Sequence, residues 1–137
     1  MNREILFRGR RLDNGEWAEG FYFCRDTQHY IKVPVVRNGV VVLTDYEVNP
    51  DTIGQFTGLL DKNGRRVFEG DVLSREAHWS IAIEYRNGGF VTVDADIGGV
   101  RYNNDCGIEG LQMFYGKGML GYWEVSSTIH DQSEKEE

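Results

Sequence analysis

The chain has 137 residues and a formal net charge of −7, the size of one ordinary domain and a charge balance that disfavours broad attraction to nucleic acid or to an anionic membrane. Two cysteines, Cys24 and Cys106, form neither a metal-ligand spacing nor a secreted disulfide framework, so both read as small buried or half-buried thiols in a reducing compartment. Seventeen glycines against two prolines, with 12% aromatics, predict many tight turns and an all-β chain of antiparallel hairpins with little or no helix.

In chain order, the apolar patch Ile5 to Phe7 is shorter than the core of about 7 to 15 residues that a signal peptide needs. No apolar stretch reaches the length of about 18 residues that a membrane helix needs, so a soluble, cytoplasmic protein is expected. Glu4 to Arg8 predicts a first strand and Asp13 to Gly15 a turn; in the returning segment Trp17, Glu19, Phe21 and Phe23 share one face and Ala18, Gly20 and Tyr22 the other. Gly20 among aromatics predicts a bulge or a close backbone approach. Tyr30 to Val36 alternates again, and Pro34, which has no N–H to donate, places that strand at an edge or a bulge. Asn38-Gly39 between two valine runs is the strongest hairpin signal in the chain, because both residues tolerate the positive φ of a type I′ turn.

Asn49 to Thr52 breaks the pattern and predicts a turn or a single helical turn. The stretch from Ile53 to Leu73, IGQFTGLLDKNGRRVFEGDVL, then supplies two apolar segments reversing through Asp61, Lys62, Asn63 and Gly64. Trp79, Ile81, Ile83 and Tyr85 alternate with Ser80, Ala82 and Glu84 as a half-buried strand, returned through Arg86 to Gly89 into Phe90 to Val93. The region from about 94 to 121 is divergent and glycine-rich, with a turn at Gly98-Gly99 and, from Gly107 to Gly121, a glycine-punctuated pair of strands or a long loop; Tyr122 to Ile129 reads as a closing strand, and 131–137 as an acidic disordered tail on a single domain of residues 1–130.

FRGRRLDNGEWAEGFYF, NPDTIGQFTGLLDKNGRRVFEGDVL and IEYRNGGF, in that order and spacing, resemble the YopX family of phage and prophage proteins. The resemblance covers residues 3 to 93 and resumes at EVSSTIHD, where Ser127 and Thr128 stand in place of the family's glycine and asparagine. It implies a β-rich fold with an SH3-like barrel part at about 53–93 and carriage on mobile elements. It implies no activity and no cofactor. Its signature residues here are Gly54, Gln55, Phe56, Thr57, Gly58, Asp61, Gly64, Glu69, Gly70 and Asp71.

Chemistry is sparsely signalled. No HExxH, CxxC, Walker A or dinucleotide fingerprint occurs, and His29, His78 and His130 have no sequence context of a catalytic base. Glu69 and Asp71, like Asp94 and Asp96, stand at i and i+2 on one face of a strand, where paired carboxylates can divide acid and base roles. Turn fixing is the better account of Asp71, beside the permissive Gly70, and also of Asp61, and a solvated face is the better account of Asp94 and Asp96. Arg8, Arg10, Arg11, Arg65 and Arg66 would make a basic patch for nucleic acid if the two hairpins packed side by side. These observations predict a non-enzymatic accessory protein that binds a protein partner and self-associates through strand edges, with a nucleic-acid module as the alternative.

Overall fold

A computed structural model describes residues 4–75, 79–86, 89–96, 99–107 and 123–134. The chain divides into two compact units, Met1–Phe56 and Thr57–Glu137.

In the first unit, β1 (Phe7–Arg10), β2 (Trp17–Arg25), β3 (Gln28–Arg37), β4 (Val40–Glu47) and the start of β5 (Gly54–Leu60) lie in the antiparallel order β4-β3-β2-β1-β5. Asn38 and Gly39 take φ 52° and 78°, the left-handed pair that joins β3 to β4 in two residues. Asn49 opens a single 3-10 turn, Pro50–Thr52, by accepting the Asp51 N–H on its side chain at 3.0 Å, and proline follows where no N–H is needed. The Thr52 hydroxyl donates to the Asn49 carbonyl at 2.7 Å and accepts the Arg10 N–H at 2.9 Å, pinning the turn to β1. Ala18, Ile31 and Val48 form the buried core, with Phe7, Tyr22, Val33, Tyr46 and Ile53 packed around it. Gly9 is needed for this packing, since a Cβ there would stand 3.0 Å from Val48. The ladder between β2 and β3 ends at Phe21 opposite Lys32, whereas β3 and β4 stay paired to Arg37 opposite Val40. Pro34 therefore lies where β3 has β4 as its ladder partner on one side and none from β2 on the other, a local edge within a nominally interior strand.

In the second unit, the remainder of β5 runs beside β6 (Arg66–Phe68). There the Thr57 hydroxyl donates to the Val67 carbonyl at 2.8 Å. β7 (Asp71–Arg75), β8 (Trp79–Arg86), β9 (Gly89–Asp96), β10 (Gly99–Gly107) and β11 (Glu124–Thr128) form an antiparallel sheet in the order β10-β9-β8-β7-β11. The sheet is irregular at two places, between Arg101 and Cys106 and between Val125 and Ser127. Leu59, Val67, Leu73 and Ile83 make the core, with Ile81, Phe90, Trp123 and Val125 against it. β8 is covered on both faces in its middle, since Ala82 and Ile83 are both fully buried, while Tyr85 at its end is exposed and meets Phe90 edge-on at 5.3 Å.

The expected all-β class holds. The SH3-like barrel expected at 53–93 is not found as a closed barrel: β10 and β11 end their sheet without pairing with each other among the described residues, and the boundary between the units falls inside that segment. Of the expected acidic tail, residues 131–134 are described and belong to a short helix. Thr128 accepts the His130 and Asp131 N–H groups on its hydroxyl at 3.1 and 3.2 Å, and Asp131 accepts the Thr128 N–H at 3.3 Å, a reciprocal cap that starts α1 (Ile129–Glu134). Residues 135–137, and most of the glycine-rich region at 108–121, lie outside the described residues. No helix among the described residues is long and apolar enough to cross a membrane.

Candidate functional site

The signature stretch is occupied by backbone work. Gly54 and Gln55 lie opposite Arg8 and Phe7, and the Phe56 N–H donates to the Leu6 carbonyl at 2.8 Å. Thr57 accepts the Leu59 N–H on its hydroxyl, and Gly58 and Gly64 take φ 88° and 82°. Asp61 is wholly buried. One carboxylate oxygen accepts the Asn63 and Arg65 N–H groups at 2.9 and 2.8 Å, and the other accepts the Val125 N–H at 2.9 Å, 64 residues away. Asp71 is equally buried and accepts the Phe68 N–H at 2.8 Å, which fixes the turn through Glu69 and Gly70. Gly70 has φ 93°, and a Cβ there would stand 3.3 Å from the His130 ring. A carboxylate without water contact and already bonded to backbone is a poor partner for Glu69 in acid and base chemistry. Asp94 and Asp96 lie in β9, opposite Arg101 and Gly99 of β10.

The arginines of β1 do not present a row of free guanidinium groups. Arg8 is buried, and Arg8 and Arg10 lie over one indole, that of Trp17, at 4.1 and 4.8 Å from its centre. Arg11 stacks on Tyr46 at 4.0 Å and grips Asp13 through two bonds of 2.9 and 2.6 Å, which hold the Asp13 carboxyl below its ordinary range. Arg65 and Arg66 belong to the second unit and are exposed, with Arg65 reaching the Val125 carbonyl at 3.4 Å.

One constellation has no counterpart in the sequence reading. Cys24 stands directly opposite His29 in the β2–β3 ladder, with Tyr22 one step further on the same face. The Tyr22 hydroxyl lies 2.7 Å from His29 Nδ1 and 2.9 Å from the Cys24 sulfur, which is 3.3 Å from the same nitrogen. The Tyr22 and His29 rings are parallel to within 1°, with centres 5.9 Å apart. Cys24 is an exposed free thiol, not the buried or half-buried one expected, and His29 has the nucleophile and hydroxyl beside it that the linear sequence did not show. On the opposite face, Phe23 and Tyr30 stack at 5.2 Å, with Arg25 and Lys32 over their rings. His78 and the side chain of Cys106 lie outside the described residues, and no cluster of three metal-ligating side chains occurs among those described.

Open antiparallel sheets, turns fixed by the buried Asp61 and Asp71, and arginines stacked on aromatic rings define an all-β protein. The chain belongs to the YopX family: the family model described as YopX protein matches residues 6–134. It is also similar to the crystal structure of protein EF1440 from Enterococcus faecalis, over 99% of this chain and 100% of that one, at 22% identity and a TM-score of 0.56, a likeness of fold alone. No curated protein matches the chain.

Proposed function

We propose that the chain is a non-enzymatic accessory protein of a phage, prophage or similar mobile element, acting in the cytoplasm of the bacterial host by binding a protein partner. The observation that carries this reading is the arm formed by β3 and β4 beyond Lys32. Val36, Val40, Val41 and Leu43 there are 70%, 62%, 62% and 60% exposed, and Val42 is 40% exposed. Such side chains gain about 1.5 to 3 kcal/mol each when fully buried. β4 is also the outermost strand of its unit, and Val40 to Leu43 carries none of the lysines or prolines that usually defend a sheet edge. The partner that fits is an extended, apolar segment of another protein chain, adding to β4 through main-chain hydrogen bonds and covering the valines.

Replacing both Val41 and Leu43 with lysine is expected to leave unfolding stability within about 0.5 kcal/mol of the parent, because both side chains lie in water, and to abolish recovery of the partner in affinity capture from cells carrying the element. Recovery of a monomeric parent protein alone, or of the same partner by the double variant, would overturn the reading. Light scattering on the purified protein tests whether the segment that covers β4 comes from a second copy, in which case the double variant is monomeric and the parent is not.

The nucleic-acid reading rests on the exposure of Arg65 and Arg66. It is the weaker one, since Arg8, Arg10 and Arg11 are already stacked on aromatic rings or bonded to Asp13. It requires a salt-dependent mobility shift with short DNA or RNA, and no shift at low salt removes it.

A further inference from the structure

The turn between β2 and β3 is two residues long, Asp26 and Thr27, with Asp26 at φ 57°. Its shortness sets the register, and the register sets the chemistry. Arg25 faces Gln28, Cys24 faces His29, and Tyr22 faces the fully buried Ile31. Tyr22 is anchored among the side chains packed on the first unit's core, while Cys24 near the turn is open to solvent. A fixed hydroxyl thus stands within reach of both an exposed thiol and an imidazole, the three atoms forming a triangle of 2.7, 2.9 and 3.3 Å.

With the imidazole proton on Nε2, Nδ1 is an acceptor. The Tyr22 hydroxyl then donates to Nδ1 over 2.7 Å and accepts from the Cys24 thiol over 2.9 Å. The hydrogen bond to Cys24 and partial burial push the Tyr22 phenol above its ordinary range, so it remains a donor at neutral pH. The alternative, in which the Cys24 thiol donates directly to Nδ1 and Tyr22 donates to the sulfur, uses the longer 3.3 Å contact and leaves the 2.7 Å contact between Tyr22 and Nδ1 without a hydrogen.

We propose that Cys24 is a thiol-modification site, activated by His29 through Tyr22, that captures a low-molecular-weight disulfide as a mixed disulfide. The Cys24 proton passes to the Tyr22 oxygen as the Tyr22 proton passes to His29 Nδ1. The sulfur attacks one sulfur of the incoming disulfide, a bond forms between them and the original S–S bond breaks. The departing thiolate leaves with both bonding electrons and takes the proton from the imidazolium. Cys24 is oxidised, the released half of the disulfide is reduced, and the imidazole is restored neutral. This is a stoichiometric modification, so it stands apart from the binding role of the β3–β4 arm and does not depend on it.

The test uses the full chain with Cys106→Ser, so that Cys24 is the single thiol, and bis(2-hydroxyethyl) disulfide as an uncharged probe. The second-order rate at pH 7 is followed by intact-mass spectrometry. The folded protein is expected to react about tenfold faster than the same chain unfolded in urea, a modest general-base effect. His29→Gln and Tyr22→Phe should each fall to within about twofold of the unfolded rate. Folding of each variant is checked by cooperative unfolding, and Tyr22→Phe, which removes one oxygen and keeps the packed ring, carries the test if His29→Gln does not fold. A folded parent no faster than the unfolded chain would overturn the site, and an undiminished rate in Tyr22→Phe would overturn the relay.

Discussion

Asp61→Ala is expected to destabilise the second unit by about 3 kcal/mol, the cost of leaving buried or half-buried donors without their charged acceptor. The carboxylate has no exposed surface and serves three backbone N–H groups, two of them inside its own turn and the third on β11. The turn closes on itself as well, with the Asp61 N–H donating to the Arg65 carbonyl at 2.8 Å and the Gly64 N–H to the Asp61 carbonyl at 3.0 Å. Lys62 adds a bond from its N–H to the Trp123 carbonyl at 2.9 Å, so one turn holds the entry of the closing strand twice. Asp61→Asn separates the two halves of this arrangement. Its amide oxygen still serves Asn63 and Arg65, but its NH₂ is set against the Val125 N–H, and a loss of about 1.5 kcal/mol is expected. Urea unfolding followed by tryptophan fluorescence measures both, since Trp123 packs on the core of this unit. A loss below about 1 kcal/mol for Asp61→Ala would mean that water replaces the carboxylate and that the turn is held by Gly64 and its backbone bonds alone.

Features governed by neighbouring residues were legible in the sequence, and features governed by pairing were not. Asn38-Gly39 and Pro50 act through their own backbone angles, so the hairpin and the 3-10 turn follow from composition. The closing strand follows likewise from alternation, with Trp123 and Val125 both reaching the core. Barrel closure depends on which edge strands meet, and alternation is silent about that. Burial of Arg8 was hidden for a related reason: an arginine in an alternating strand reads as an outer face until the cross-strand indole of Trp17 covers it. The Tyr22, Cys24, His29 group was half visible. Alternation puts Tyr22 and Cys24 on one face, but placing His29 opposite Cys24 needs the position of the turn, and Asp26 makes that turn without the glycine that would have marked it. The short helix had an available signal in Thr128 and Asp131, three residues apart as in a capping box, which a search for apolar periodicity passes over.

Gly20→Ala is expected to cost the first unit about 3 kcal/mol, the upper end of what an added methyl does in a packed interior. Gly20 lies where β2 changes partners, opposite Phe7 of β1 and one residue before the last rung to β3. A Cβ at this point would run into the Lys32 carbonyl oxygen and come within 3.3 Å of the Ile31 side chain. The obstacle is main chain in a paired strand, so no rotamer change relieves it, and β2 and β3 must separate beside Ile31 at the centre of the core. Gly15→Ala gives the contrasting case. Its φ is 73° and nothing stands within 4 Å of an added Cβ, so its cost is conformational and about 1 kcal/mol. Thermal or urea unfolding of the two variants therefore separates steric from backbone need, with Gly20→Ala the more damaging. The opposite order would show that β2 can move away from Lys32 at little cost, and would locate the rigidity of this unit in the β1–β2 turn instead of in the close approach of β2 to β3.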